Sequence, residues 1–271
     1  MRQNVNFFAH RLPQGLAFIN GDDAMCLYSA NLYQDCFLFG FSEHNQFHGL
    51  LHGDKKKVVL TINFHQYTFT VDCPTLIGKF NGYNILAAIA VALYYGGSSA
   101  LIQEALGSFT SVRGRFERHN LPDGVTIIID YAHNPASYQM VLPVLRDMTD
   151  HLIVLFGAGG QRDRAKRPLM GHLAALYADI LILTSDNPRE EDPQEIIKDI
   201  FAGIPVAAKN KVFCIVDRYQ AIESAYKIAR FGSVIALLGK GAESYQFIGS
   251  AKVPFSEAII IEELPNSCLK V

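Results

Sequence analysis

Asp179-Ile180-Leu181-Ile182-Leu183-Thr184-Ser185-Asp186-Asn187-Pro188-Arg189 is the stretch that decides the fold. Its first six residues make a short apolar run with polar bounds, the signature of a buried strand. The polar motif that follows lies just past the strand's carboxyl end, where open α/β sheets place ligands. There Arg189 can fork onto a carboxylate while Asp186 takes a cation, so the motif suits a group that carries both charges. Asn-Pro is also a common turn dipeptide, and a polar turn before the next helix is the other reading.

The same cadence runs through the second half of the chain. Strands are expected at Val125 to Asp130, Leu152 to Phe156, Asp179 to Thr184, Val212 to Val216, Val234 to Leu238 and Ala258 to Glu262. Amphipathic helices fill the gaps at Pro135 to Met148, Arg167 to Tyr177, Pro193 to Phe201 and Arg218 to Arg230, with Pro135 and Pro193 suited to first-turn positions. Alternation of this kind predicts a Rossmann-like α/β domain: a mostly parallel six-stranded sheet with helices on both faces. The run from Ala258 to Leu264 is expected as an antiparallel edge.

Residues 1–111 read differently. Asp35 to Phe41 and Lys57 to Thr70 look like strands of a meander, followed by helices over Ile85 to Tyr95 and Ser99 to Phe109 around the turn Gly96-Gly97-Ser98. These elements predict a partial α/β domain with one apolar face left without a partner layer. The boundary is placed near Ser111, giving domains 1–111 and 112–271.

At 271 residues there is room for two domains, and 49% hydrophobic with 18% charged residues is ordinary for a globular protein. A formal net charge of −2 offers no basic footprint for nucleic acid. Cys26, Cys36, Cys73, Cys214 and Cys268 are scattered and odd in number, which argues against disulfides or a zinc site and fits a reducing cytoplasm. Met1 to Asn6 carries no apolar signal core, and no stretch of about 18 apolar residues predicts a membrane span.

Three further strand ends carry polar or glycine-rich loops. Gly157-Ala158-Gly159-Gly160-Gln161-Arg162-Asp163 lacks the dinucleotide spacing and the Lys-Ser or Lys-Thr of a P-loop, so it admits either a binding loop or a tight turn. In Gly239-Lys240-Gly241-Ala242-Glu243 the glycines admit a close ligand and Glu243 can accept from an ammonium. In Asp130-Tyr131-Ala132-His133-Asn134-Pro135, Asp130 suits a ribose hydroxyl and His133 a phosphate. Four polar strand ends together point to a binding crevice.

Together with Ala17-Phe18-Ile19-Asn20-Gly21-Asp22-Asp23, Gly78-Lys79-Phe80-Asn81-Gly82-Tyr83-Asn84 and Gly114-Arg115-Phe116-Glu117, these motifs resemble the Mur ligases, the ATP-dependent amide-forming enzymes of peptidoglycan synthesis. The Asp-Asn-Pro-Arg form is similar to that of members that add meso-diaminopimelate to UDP-N-acetylmuramoyl-L-Ala-D-Glu. The resemblance implies that Asn81 and Asn84 contact the adenine of ATP, although Asn also favours helix caps. It implies that Arg115, Asp130 and His133 approach the ribose and phosphates, and that Arg162, Asp186, Asn187, Pro188, Arg189, Gly239 and Glu243 hold the amino acid. It also implies Mg2+. Asp22-Asp23 is expected as a turn rather than a metal site.

The pattern departs from the family at its start. No Gly-x-x-Gly-Lys-Thr phosphate loop occurs, nor does the family's lysine near magnesium. The expectation is therefore the later half of a central domain followed by a C-terminal domain, inactive alone because phosphoryl transfer depends on the missing charges. A partner module that complements a separate N-terminal half is the leading rival. A degenerate gene product is another, and an NAD-dependent oxidoreductase is disfavoured by the glycine spacing.

Overall fold

The computed structural model describes residues 16–30, 35–53, 57–65 and 67–267. The amino-terminal stretch read for a targeting signal, Gln66 and Cys268 lie outside them. Two compact units divide between Thr110 and Ser111.

In the first unit, strand β1 (Leu16–Asn20) leads through helix α1 (Ala24–Ala30) to β2 (Asp35–Gly40), β3 (Phe47–His52), β4 (Val58–Phe64) and β5 (Tyr67–Cys73). The sheet follows this order, parallel across β1–β2–β3 and antiparallel across β3–β4–β5. Helix α2 (Lys79–Tyr94) buries Ile85, Leu86, Ile89 and Ala90, a stripe at helical spacing. These residues share one core with the alternate residues Val58, Leu60 and Ile62 of β4. Helix α3 (Ser99–Gly107) begins at Ser98, whose side chain accepts from the Leu101 N–H.

The bare apolar face expected in this unit is not found on β3–β5. Their other face is mainly polar, with His52, Thr61, Asn63, Thr68 and Thr70 beside the exposed Leu50 and the half-buried Val59. The Thr61 and Thr70 hydroxyls bond across the strands at 3.0 Å, and His52 Nε2 lies 2.8 Å from the Thr61 hydroxyl. Such a face is satisfied by itself and by water, and needs no second layer.

The second unit holds a six-stranded sheet. Strand β6 (Glu117–Asn120) is antiparallel to β7 (Thr126–Asp130), while β8 (Leu152–Phe156), β9 (Ile180–Leu183), β10 (Val212–Cys214) and β11 (Val234–Leu238) run parallel to β7, in the order β10-β9-β8-β11-β7-β6. Every residue of β8 and β11 is buried, as continuous aliphatic runs at the centre of a doubly wound sheet require. Helices α4 (Pro135–Asp147), α5 (Lys166–Tyr177) and α6 (Pro193–Ala202) stand side by side on one face, and α7 (Arg218–Ile228) with α8 (Glu257–Ser267) covers the other. Pro135 and Pro193 open α4 and α6 behind the side-chain caps Asn134 and Asp192. No described helix is long and apolar enough to cross a membrane.

One element departs from its expectation. The run from Ala258 to Leu264 is part of helix α8, and the antiparallel edge is β6. The three successive isoleucines imitate a strand, but Glu257, Ile260, Ile261 and Leu264 are buried while Ile259, Glu262 and Glu263 are exposed, a period of 3.6 rather than 2. Glu257 fixes this helix through a buried ion pair with Arg218 at 2.8 Å. Arg218 also donates to Leu238 O at 3.1 Å, so one guanidinium joins α7, α8 and the end of β11. Burial pushes the Glu257 carboxyl up, against the pull of Arg218.

Breaking a buried pair from one side strands the other charge. Arg218→Met should destabilise the second unit by about 3–5 kcal/mol, read from the urea midpoint. Arg218→Met combined with Glu257→Leu should recover more than half of that loss. A double variant as unstable as the single one would rule out charge stranding as the cause.

Candidate functional site

The loops after β7, β8, β9 and β11 meet at the carboxyl edge of the sheet. Beside them lies a hairpin, β12 (Tyr245–Ile248) paired antiparallel with β13 (Ala251–Pro254), which has no counterpart in the sequence reading.

Asp186, Asn187, Gly239 and Glu243 form one group. Asn187 is buried, and its Nδ2 donates to Glu243 Oε2 at 2.9 Å. Its Oδ1 accepts from the Phe247 N–H at 2.9 Å and from Lys240 Nζ at 3.4 Å. Lys240 also lies 3.2 Å from Glu243 Oε2 and 3.6 Å from Asp186 Oδ1. Gly239 has φ +109°, and a Cβ there would stand 2.6 Å from Asp186 Oδ2. Only glycine permits both that backbone and that approach.

Pro188, Arg189 and Arg162 form an adjoining group around the glycine loop. Gly160 is there because its Cα faces Pro188 O, where a Cβ would come within 1.9 Å. The tight-packing reading of that glycine therefore holds. Arg189 Nη1 donates to Gly160 O at 2.9 Å. A Cβ on Gly159 would lie 3.2 Å from Arg189 Nη1 and 3.4 Å from the Arg162 stem, so both side chains reach the same glycine. Arg162 itself is exposed. The Arg189 backbone has φ +53° and is tied to the hairpin, its N–H donating to Phe247 O at 3.0 Å and its carbonyl accepting from Gly249 N at 2.8 Å.

Arg115 and His133 both pack against the Tyr131 ring, and Asp130 precedes it in the chain. The Arg115 guanidinium lies over the Tyr131 ring at 4.6 Å. Asp130 accepts from the backbone N–H of Phe116 at 2.8 Å and of Ala132 at 2.7 Å, so it shapes the loop that presents Arg115. His133 is exposed, with Nδ1 2.9 Å from Tyr131 O. A pocket of about 340 Å³ opens here, lined by Arg113, Gly114, Arg115, Tyr131, Lys240, Ala242, Glu243, Ser244 and Tyr245.

Asn81 and Asn84 lie in the first unit, on the opening turns of α2. Neither acts as its N-cap, which is Gly78. Asn81 instead donates back to Ile77 O at 2.9 Å and accepts from Asn84 Nδ2 at 3.3 Å. Asp22 is the hub of a turn, as expected. It accepts from Phe41 N, Ser42 N, Asn45 Nδ2 and Tyr83 Oη, and these bonds hold its carboxyl well below the usual range despite burial. Among the described residues, no group of three or more His, Cys, Asp or Glu side chains could hold a metal ion.

Sequence reasoning missed three buried cations. Lys240 was in view, a lysine between two glycines at a strand end. Arg167 is fully buried and joins Glu191 at 2.9 Å, Asp199 at 2.8 Å and Gly159 O at 3.2 Å. Its pairing lowers the Glu191 and Asp199 carboxyls. Nothing separates Arg167 from its neighbours Arg164, which is exposed, and Lys166, which is half-buried, in sequence, and Arg218 is equally anonymous.

Residues 1–92 match the family model for the Mur ligase middle domain, and residues 114–241 match that for the Mur ligase glutamate ligase domain. The chain belongs to the Mur ligase family. The chain is 48% identical over 200 residues to the UDP-N-acetylmuramoyl-L-alanyl-D-glutamate--2,6-diaminopimelate ligase of Aquifex aeolicus, covering 73% of this chain and 40% of that protein. The ligase of the same name from Bacteroides fragilis is 34% identical, over 97% of this chain and 54% of the relative. The chain thus spans about half, or less, of these relatives. A solved 2,6-diaminopimelate ligase superposes with a TM-score of 0.60 at 29% identity, over 98% of this chain and 56% of that one. A Thermotoga maritima MurF ligase in complex with ADP shares the fold, with a TM-score of 0.66 at 16% identity, over 98% and 56% of the two chains.

Asp130 provides a test of the loop. Burial raises its carboxyl above the ordinary 3.8, against the pull of the two N–H donors and Arg115. Folding then favours the protonated form. Its contribution to stability is complete below the unfolded value and is lost as pH rises through the folded one. Asp130→Asn cannot titrate, so in urea unfolding it should gain stability relative to the parent as pH rises above the unfolded carboxyl value of about 4. A difference that stays constant as pH rises contradicts the account.

Proposed function

We propose that the chain provides the diaminopimelate pocket and one side of the ATP site of a ligase that joins meso-diaminopimelate to UDP-N-acetylmuramoyl-L-Ala-D-Glu. The observation that carries this is the adjacency of two complementary groups: Asn187 with Glu243, and Arg189 with Arg162 around Gly159. The distal end of meso-diaminopimelate is an amino acid head. Its carboxylate suits the guanidinium pair, and its ammonium suits Glu243 and Asp186. Gly239 and Pro188 shape the walls, the one by its open Cα and the other by bracing the glycine loop.

Arg115, Asp130 and His133 are assigned to the nucleotide's ribose and phosphates, which suit a rim with an exposed guanidinium. Asn81 and Asn84 are assigned to the adenine on the family pattern alone. ATP would supply the phosphoryl group that activates the carboxylate to be joined. The chain's own part is to bind the amino acid, orient its amine and exclude misfits. Among the described residues no cluster of three or more His, Cys, Asp or Glu side chains would hold magnesium by itself, and the chain's part in the reaction is derived without that ion. The 271-residue chain lacks the Gly-x-x-Gly-Lys-Thr loop, so purified alone it should bind the amino acid but form no amide.

L-Lysine shares the reacting end of diaminopimelate but lacks the distal carboxylate. It would leave the partly buried Arg189 guanidinium without its anion, a penalty that sites of this kind turn into discrimination. Calorimetry on the 271-residue chain should therefore show meso-diaminopimelate binding well ahead of L-lysine. Arg189→Ala should weaken diaminopimelate by about tenfold or more, the loss of a hydrogen bond to a charged group, and leave lysine little changed. Equal binding of the two amino acids by the parent chain, or an unchanged preference in Arg189→Ala, would defeat the proposal.

A further inference from the structure

Lys240 is fully buried, yet no ligand role falls to it in the reading above. Its ammonium is ringed by Glu243 Oε2 at 3.2 Å, Asn187 Oδ1 at 3.4 Å and Asp186 Oδ1 at 3.6 Å, with the Phe255 ring at 5.8 Å. All three polar partners belong to the proposed amino-acid pocket. A buried lysine needs such partners, since a cation out of water is tolerated only when paired. Two carboxylates around one ammonium leave a formal charge of −1, which one ligand ammonium would complete.

The amide of Asn187 carries the second half of the argument. Its Oδ1 is fixed by Lys240 and the Phe247 N–H, and this orientation aims Nδ2 at Glu243. With Lys240 replaced by an apolar chain, Asp186 and Glu243 would face each other without a counter-charge. Glu243, the more exposed of the two, is free to swing to water.

We propose that Lys240 is a positioning residue of the amino-acid pocket: it holds Asn187 and Glu243 in the ligand-ready arrangement and sets the pocket's charge to accept one ammonium. The inference rests on the reading of this pocket as an amino-acid site, but its structural core can be tested without a ligand.

The test uses NMR on the whole 271-residue chain, as the parent protein, Lys240→Met and Lys240→Arg. In the parent, the Lys240 ammonium should give a slowly exchanging signal at neutral pH, unlike the exposed Lys198. In Lys240→Met, exchange protection of the Asn187 side-chain amide should fall by about tenfold or more, while backbone amides of the central strand, such as Leu155, stay protected. Lys240→Arg keeps the charge and should lie between the two. Binding of meso-diaminopimelate should weaken by about 30-fold or more in Lys240→Met, as expected when one partner of a buried charge cluster is removed. An Asn187 amide as protected in folded Lys240→Met as in the parent overturns the inference, as does a Lys240 ammonium that exchanges like Lys198. If Lys240→Met does not fold, the parent's ammonium signal and the Asn187 amide of Lys240→Arg decide. If these ligand-free signals behave as stated but the parent binds no diaminopimelate, the ligand reading fails and the positioning role stands.

Discussion

Arg167, Arg218 and Lys240 are all withdrawn from solvent along the carboxyl edge of the six-stranded sheet. Moving a cation out of water costs several kcal/mol, and the loss is offset only if every partner is in place. Each of the three therefore acts as a constraint on the loops around it. Arg218 requires α8 and the end of β11 to meet. Arg167 requires the glycine loop to sit where Gly159 O and Glu191 can both reach it. Lys240 requires Asp186, Asn187 and Glu243 to converge. Lys240 stands behind the Asp186–Asn187–Glu243 group and Arg167 behind the glycine loop, while Arg218 ties the end of β11 and Ser185 O to α8, so these loops have little freedom that does not leave a buried charge unmatched.

That constraint explains what the sequence made visible. Strands β7, β8, β9 and β11 were legible because a central parallel strand must be apolar on both faces, and their ends marked the site loops. The edge strand β6 was illegible for the opposite reason. Glu117-Arg118-His119-Asn120 carries no hydrophobe, since it is an edge exposed on alternate residues. Ile259-Ile260-Ile261 showed the limit of composition, because β-branched residues also fill a helix when tertiary packing asks for it. The strand-end loops lie together at one edge of the sheet, and Asp186, Asn187, Gly239 and Glu243 from two of them are in contact. The buried cations behind them could not be read, because Lys and Arg are expected at the surface and burial is a property of the assembled fold.

Several side chains named as ligand contacts also serve the protein itself. Asp130 spends both carboxylate oxygens on backbone N–H groups, and so fixes the direction of the Gly114-Arg115-Phe116 turn. A ribose hydroxyl could still add to it, since each oxygen carries two lone pairs. Asn187 is more fully committed. Both lone pairs of its Oδ1 are taken and one Nδ2 hydrogen goes to Glu243, which leaves a single donor for a ligand. Each such group arrives at the site already oriented, and this preorganisation lowers the cost of binding.

Arg189 shows what the arrangement requires of the backbone. A non-glycine residue at φ +53° costs of order 1–3 kcal/mol and persists only when its surroundings over-determine it. Those surroundings are visible. The hairpin β12–β13 clasps Arg189 through its N–H and its carbonyl, and the side chain returns to Gly160 O. The left-handed turn points the guanidinium at the glycine loop, toward Arg162, instead of along the strand direction to solvent. The hairpin, absent from the sequence reading, is therefore the element that sustains the strain. The specificity assigned to Arg189 rests as much on Phe247 and Gly249 as on the arginine itself.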